Sequence, residues 1–247
     1  MVQTWLSKKK LTINGLEADE NLFVATLKNS DGNVFQKGVS EIDGATRLIL
    51  PTDHHFFKRK HRKEQIVLHH TVGYLSGDAA SLTRKKVSTA YLVGRNGNVF
   101  ELFDPQYYSY HLGPNSTGGN KVRSQRTIAI ELSNFGALRE HPTKPDILVD
   151  SWDFPYCMKT DTDFYVNCPY RGYDYYATYT DAQMKALDSL LLQLCRKFNI
   201  QHSFLPQDER MKLQTKVPTA GIVSHVNYRK DKTDVSPAFS WEKISGR

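Results

Sequence analysis

Side chains that could bind a metal ion or move protons lie at the ends of hydrophobic segments in three separate parts of the chain. They are the pair His69 and His70, then Glu131, and a C-terminal group of His225, Lys232 and Asp234. Two imidazoles and one carboxylate are a common ligand set for catalytic zinc, which keeps its fourth position open. The same donors form the facial triad of non-haem Fe(II) oxygenases. Donor type alone therefore does not choose the metal.

The segments that carry these residues have the patterns of strands. Side chains alternate along residues 66–71, so that Ile66, Leu68 and His70 share one face and Val67, His69 and Thr71 share the other. Because His69 and His70 point to opposite faces, only one of them can easily be a ligand. In residues 127–133, Glu131 lies among small residues on one face of a second strand. A carboxylate in that position is unusual for a core.

Other elements have clear local signals. Asn96-Gly97 joins two apolar segments and is typical of a β-hairpin turn, and Asp31-Gly32 predicts another hairpin near the N-terminus. Thr180 and Gln183 form a capping box that predicts the start of a helix. Helical spacing of apolar residues then continues as far as Phe198.

Residues 137–176 show no regular period and are rich in proline, aspartate and aromatic residues. A long stretch of this kind indicates a functional loop or an insertion without regular structure. Its tyrosines and tryptophan are compatible with a packed Ω-type loop or with a platform on which sugars stack.

The composition is that of a globular protein. Of the 247 residues, 39% are hydrophobic and 24% charged, which argues against a disordered chain. No apolar run approaches the roughly 18 residues that a membrane span needs. The first residues have no apolar core of a signal peptide, so we expect synthesis in the cytoplasm without one. Three cysteines are too few for a disulfide framework.

The net charge of +7 favours a polyanionic partner, such as nucleic acid, anionic lipid or bacterial cell wall. No nucleic-acid-binding module is recognisable, so we expect no nucleic acid partner. Part of the charge lies in Lys8–Lys10 and in residues 58–63. We predict a β-rich N-terminal region with a basic linker over residues 1–60 and a catalytic domain over residues 61–247. The basic segments would serve attachment to a wall.

Six segments together resemble a known family. They are residues 66–71, 87–100, 110–113, 126–132, 179–183 and 225–234, and they occur in the family's order from about residue 62 to the C-terminus. The family is the zinc-dependent N-acetylmuramoyl-L-alanine amidases of type 2, whose fold is shared with peptidoglycan recognition proteins. Any one of the motifs would be weak evidence, but six in register are specific.

The resemblance implies an α/β fold with a mixed central β-sheet flanked by helices. It implies that Zn²⁺ is held by His69, His225 and Asp234, that Glu131 is the catalytic glutamate and that Lys232 assists catalysis. The substrate would be peptidoglycan, cleaved between N-acetylmuramic acid and L-alanine of the stem peptide. A monomer would then act on the bacterial wall after release or export by another route, as a phage endolysin does. Predicted substrate contacts are His111, Thr71 and Asn134.

Several alternatives remain open at this stage. A recognition module that binds peptidoglycan without cleaving it would share the groove, although such relatives lack the third ligand that Asp234 supplies here. A different metallohydrolase could use the same donors. Glu131 could be a structural carboxylate paired with Arg126 or Arg123, and Lys232 and Asp234 could form an exposed turn. Some family members also have a tyrosine where this chain has Thr89, so that either the contribution of that tyrosine is absent here or Glu131 replaces it.

Overall fold

The computed structural model describes residues 15–245, and Lys8–Lys10 lie outside this range. Helices are α1 over residues 15–26, α2 Leu75–Arg84, α3 Asn120–Arg126, α4 Asp181–Phe198 and α5 Glu242–Ser245. Strands are β1 Gln36–Val39, β2 Ala45–Ile49, β3 Gln65–His70, β4 Tyr91–Val93, β5 Val99–Glu101, β6 Thr127–Leu132, β7 Ala137–His141, β8 Lys144–Val149, β9 Pro155–Met158, β10 Tyr165–Tyr170, β11 Tyr173–Ala177 and β12 Ile222–Ser224.

A mixed seven-stranded sheet forms the centre of the molecule, with the strand order β1-β2-β5-β4-β6-β3-β12. Strands β4, β6, β3 and β12 are parallel neighbours. Their carboxyl ends therefore meet at one edge, where ligands bind in open α/β sheets. The predicted α/β fold with a mixed central sheet is confirmed.

The two faces of this sheet pack in separate cores, as side-chain alternation in β3 predicts. Ile66 and Leu68 lie in the larger core with the apolar face of α4, whereas Val67 packs with Leu112 and Val223 on the other face. The predicted helix and the hairpin between β4 and β5 are also confirmed. Both faces of the central strands are covered, and β3 is buried along its whole length.

The interpretation of residues 137–176 as a stretch without regular structure was wrong. Strands β7 to β11 form a second, antiparallel sheet in the order β10-β11-β7-β8-β9, which we call the accessory sheet. It has its own core, which includes Phe135, Leu138 and Tyr156. The register shifts within three of its strand pairs, so the side chains do not keep the regular alternation that identifies strands in a sequence.

The described part of the N-terminal region, residues 15–60, holds helix α1 as well as strands β1 and β2, whereas the sequence predicted only strands. Helix α1 contacts both sheets, because Phe23 packs in the central core and Leu16 in the accessory core. Its Glu20 carboxylate accepts the backbone N–H groups of Arg95 and Asn96 at 3.1 Å each. Strands β1 and β2 extend the central sheet. The domain boundary near residue 60 stays a prediction.

The basic segment at residues 58–63 is not uniformly exposed. Lys63 is buried, and its ammonium group donates to the backbone carbonyls of Tyr107, Gln125 and Thr127 at 2.7–3.1 Å. It therefore holds strand β6 in place and is not available to a wall polymer. Within residues 15–245, no helix is both long and apolar enough to cross a membrane.

Truncation of Phe23 tests whether α1 belongs to the same cooperative unit as the central sheet. The ring is fully buried and meets Phe100 of β5 edge-on at 5.2 Å. We expect Phe23→Ala to lower the free energy of unfolding by about 3–5 kcal/mol. Leu22→Ala, in the same helix but 64% exposed, is the control and should change it by less than about 0.5 kcal/mol. Denaturant titration measures the free energy of unfolding of both variants. A loss for Phe23→Ala no larger than that for Leu22→Ala would place α1 outside the cooperative core.

Candidate metal centre

The topology brings the predicted ligands together at the carboxyl edge of the central sheet. His69 lies at the end of β3 and faces Glu131 of β6 in the parallel register. His225 directly follows β12, the neighbour of β3 on its other side. Asp234 closes the loop that starts at His225, since its carbonyl accepts the N–H of Val226 at 3.0 Å. Residues separated by 165 positions in the chain thus converge on one point.

Three ligand atoms form a small triangle at this point. The Nδ1 atoms of His69 and His225 are 3.1 Å apart, and the Oδ2 atom of Asp234 lies 3.1 Å from the first and 2.9 Å from the second. All three side chains are buried. Among the described residues, this is the group whose donors could hold a metal ion.

The hydrogen bond on the far side of His225 fixes which ring nitrogen carries the proton. Nε2 lies 3.0 Å from the carbonyl oxygen of Leu112, and a carbonyl can only accept. Nε2 therefore carries the hydrogen. In the neutral ring, Nδ1 then presents a lone pair towards Asp234.

A longer relay fixes His69 in the same way. The Thr127 hydroxyl donates to the carbonyl of Arg123 at 2.8 Å, so it accepts from Nε2 of His111 at 2.7 Å. The Nδ1 atom of His111 is then an acceptor, and it receives the Nε2 hydrogen of His69 at 3.0 Å. Nδ1 of His69 is left with a lone pair directed at the same triangle. Such partners set the tautomer and orientation of metal-binding histidines.

The protonation states suit a cation. Burial, together with the charge of His225, lowers the pKa of His69 to about 4, so its ring is neutral at pH 7. Burial opposes ionisation of Asp234, but the charges and hydrogen bonds of His225 and His69 outweigh it and hold the pKa of Asp234 well below its usual value. With the hydrogen of each ring held on Nε2, two imidazole nitrogens and one carboxylate oxygen therefore face a common point. These residues fit a metal ion with nitrogen and oxygen ligands.

An open cleft of about 210 Å³ lies over the triangle, and Glu131 and Lys232 line it together with the three candidate ligands. Burial, with the charges of Asp234 and Asp78, raises the pKa of Glu131 well above its usual value, against the opposing charge of Lys232. A carboxyl group whose pKa is raised in a cleft can both accept and return a proton near neutral pH.

The structural alternatives for these residues have little support. Arg126 and Arg123 pair with Glu64, at 2.8 and 3.8 Å, and not with Glu131. Asp234 is buried beside two histidines and does not belong to an exposed turn. At the position of the family's tyrosine, the Thr89 hydroxyl lines the cleft and donates to the carbonyl of Tyr91 at 3.0 Å.

The structure places the three predicted substrate-contact residues in three different settings. His111 lines the cleft but is buried and supports His69 from behind. The Thr71 hydroxyl donates to Asp78 at 2.8 Å and accepts the N–H of Asn134 at 3.2 Å. Asn134 is fully buried, and its amide donates to the carbonyl of Thr178 at 3.0 Å. Substrate contact by these residues stays a prediction.

Two supporting residues were missed in the sequence. Thr127 ends the relay behind His69, and Asp78 of α2 receives the hydroxyl groups of Thr71 and Ser133. Burial raises the pKa of Asp78 to about 7. Neither residue has a motif of its own. The polar position of Asp78 on the buried side of α2 is the one signal that could have indicated it.

Comparison with known proteins gives a consistent result. The family model described as N-acetylmuramoyl-L-alanine amidase matches residues 59–237. No curated protein sequence matches significantly. The structure is similar to that of the N-acetylmuramyl-L-alanine amidase AmiD from E. coli, with 21% identity and a TM-score of 0.50. The match covers 76% of this chain and 58% of AmiD, so the chain spans less than two thirds of that relative's length.

Two further solved structures are less similar. A selenomethionine derivative of AmpD has 17% identity and a TM-score of 0.49 over 83% of this chain and 94% of its own. The endolysin LysCS from Clostridium intestinale, an N-acetylmuramoyl-L-alanine amidase, has 15% identity and a TM-score of 0.48 over 84% and 97%.

Substitution of the carboxylate ligand tests the metal centre directly. We expect Asp234→Asn to lower zinc affinity by more than roughly 100-fold, because even partners outside the ligand set contribute about 10- to 100-fold. The control is Asp208→Asn, an aspartate whose side chain is 77% exposed in another loop, and it should bind zinc as the unsubstituted protein does. Competition with a chromogenic chelator measures both. Equal affinities in the two variants would remove Asp234 from the ligand set.

Proposed function

As this chain belongs to the N-acetylmuramoyl-L-alanine amidase family, we propose that it hydrolyses peptidoglycan at the amide bond between N-acetylmuramic acid and L-alanine of the stem peptide. The metal would be zinc, held by His69, His225 and Asp234. The observation that carries the proposal is the triangle of three lone pairs at the floor of a cleft that also contains Glu131 and Lys232.

Zinc in such a site lowers the pKa of a water ligand towards 7 and polarises a carbonyl group. Glu131 faces His69 across the β3–β6 pair. This position supports a role in which its carboxylate would take a proton from the attacking water and return it to the leaving amine. The raised pKa of Glu131 favours the second half of this transfer, since the carboxyl group then holds its proton until the amine leaves.

Lys232 supplies a positive charge to the lining of the cleft. It lies two residues before Asp234 and lines the same space as Glu131. The ammonium group would stabilise the negative charge that develops on the carbonyl oxygen during attack, an effect that is strong where donors are held in advance and water is limited.

Two rival functions are less well supported. A recognition module that only binds peptidoglycan has no need of the third ligand, and this chain has Asp234 at 2.9 Å from His225. An Fe(II) oxygenase would use the same donors but needs no proton-transferring carboxylate beside them. Glu131 in register with His69 therefore favours hydrolysis.

The partner would be a muramyl peptide, presented by the bacterial wall. The AmiD structure from E. coli contains anhydro-N-acetylmuramic acid-L-Ala-D-gamma-Glu-L-Lys, and we propose a substrate of the same class for this chain. The protein would act as a monomer on the bacterial cell wall. Its net charge of +7 would favour an anionic wall.

Mass spectrometry of digested peptidoglycan tests the bond that is cut. We expect soluble stem peptides that begin with L-alanine, together with glycan strands that retain intact N-acetylmuramic acid. Addition of excess chelator should stop their release, and Zn²⁺ should restore it. Released disaccharides, or lysis that is unchanged in chelator, would contradict the proposed reaction.

Removal of the Glu131 charge separates proton transfer from metal binding. We expect Glu131→Gln to keep one zinc per chain while kcat falls by roughly 100-fold or more, as general acid–base groups contribute about 10²–10⁴-fold. Glu140→Gln is the control, because Glu140 lies on the accessory sheet with its side chain 44% exposed. Metal analysis and turnover of a soluble muramoyl peptide are the measurements. Loss of zinc in Glu131→Gln would make Glu131 a ligand instead.

A further inference from the structure

The turn between β10 and β11 contains an unexpected residue. Arg171 and Gly172 both have positive φ angles, 47° and 85°, as a two-residue hairpin turn of type I′ requires. Glycine, asparagine and aspartate adopt this backbone region readily, whereas arginine does so rarely. A residue kept in an unfavourable conformation suggests that its side chain has a use.

The Arg171 guanidinium reaches from the accessory sheet to the loop that carries the third ligand. Its Nη1 atom donates to the backbone carbonyl of Arg229 at 2.9 Å and to the backbone carbonyl of Lys232. Both acceptors lie between His225 and Asp234. One side chain thus fixes two points of the main chain in the segment that presents Lys232.

The hairpin is itself anchored beside this loop. The Tyr170 hydroxyl donates to the carbonyl of Met211 at 2.7 Å. The neighbouring carbonyls of Arg210 and Lys212 accept the side-chain amide of Asn227, at 3.1 and 2.8 Å. Asn227 is two residues after His225 and belongs to the same turn. The hairpin is therefore connected at two places to the loop from His225 to Asp234. It contacts Arg229 and Lys232 directly, and it reaches Asn227 through residues 210–212.

We propose that Arg171 is a positioning residue, which holds residues 229–232 so that Lys232 and Asp234 face the two histidines. This inference rests on the proposed function. The planar guanidinium suits the task, because the two hydrogens of Nη1 are held in a fixed plane and can serve two carbonyls at once. A lysine ammonium is less pre-organised. The accessory sheet would then complete the active site from outside the central sheet.

Arg171→Gly removes the side chain but keeps the turn, since glycine favours both positive φ angles. The matched control is Arg139→Ala, an arginine of the same sheet that pairs with Asp153 at 2.7 Å on its surface. Three quantities are compared in full-length proteins: amide hydrogen exchange of residues 229–234, zinc affinity, and kcat and KM on a soluble muramoyl-L-alanyl peptide.

We expect Arg171→Gly to accelerate exchange in residues 229–234 and to weaken zinc binding by about tenfold. A misplaced catalytic group costs up to about 100-fold in rate, so kcat should fall by roughly tenfold or more while KM changes by less than about twofold. Guanidinium ion added at millimolar concentration should restore part of kcat. Arg139→Ala should behave as the unsubstituted protein in every measurement.

Unchanged exchange and zinc affinity in Arg171→Gly would overturn the proposal. A rise in KM with kcat preserved would also overturn it, because Arg171 would then bind substrate. Equal losses in Arg139→Ala would assign the effect to general destabilisation of the sheet. Exchange and zinc affinity are measured without substrate. An unsubstituted protein that fails to cleave the peptide therefore counts against the proposed function alone, and the role of Arg171 is still decided.

Discussion

The convergence of three lone pairs on one buried point is the constraint on which the rest of the site depends. The tautomers of His69 and His225 are fixed by acceptors behind them, so either ring can donate to Asp234 only after it takes up a second proton. Three acceptors about 3 Å apart repel one another unless a cation lies between them. The relay through His111 and Thr127 and the carbonyl of Leu112 keep the rings in this arrangement. The central sheet supplies the rigid strand ends from which they extend.

The candidate ligands and Glu131 could be selected from the sequence because their signals are local. His69 and Glu131 each lie in a strand with clear alternation, and Asp234 lies in a short motif with Lys232. The parallel register that places His69 opposite Glu131 follows from the fold and not from either segment alone. The supporting groups were harder to predict. Thr127 and the carbonyl of Leu112 gain their roles only when distant segments meet, and Asp78 has only its polar position on the buried side of α2 as a signal.

The accessory sheet shows the limit of pattern analysis in another way. Its strands shift register and are rich in tyrosine, so that neither face reads as continuously apolar. Its core includes Leu16 of α1, a residue more than 100 positions earlier in the chain. The same helix buries Phe23 under the central sheet. Helix α1 therefore connects two cores that are built from separate parts of the sequence, and it stabilises the sheet from which Arg171 extends.

The size of the cleft has a consequence for how the polymer would be attacked. A space of about 210 Å³ is smaller than the roughly 300–1,000 Å³ of pockets that enclose a drug-sized molecule. A muramyl peptide would not be enclosed by a space of this size, so the atoms around one amide bond would enter while the glycan and the rest of the peptide stay outside. Because the cleft is open, a strand needs no free end to reach the metal. On the proposed function, cuts would fall at internal positions of a strand, and each one would detach a stem peptide from its glycan.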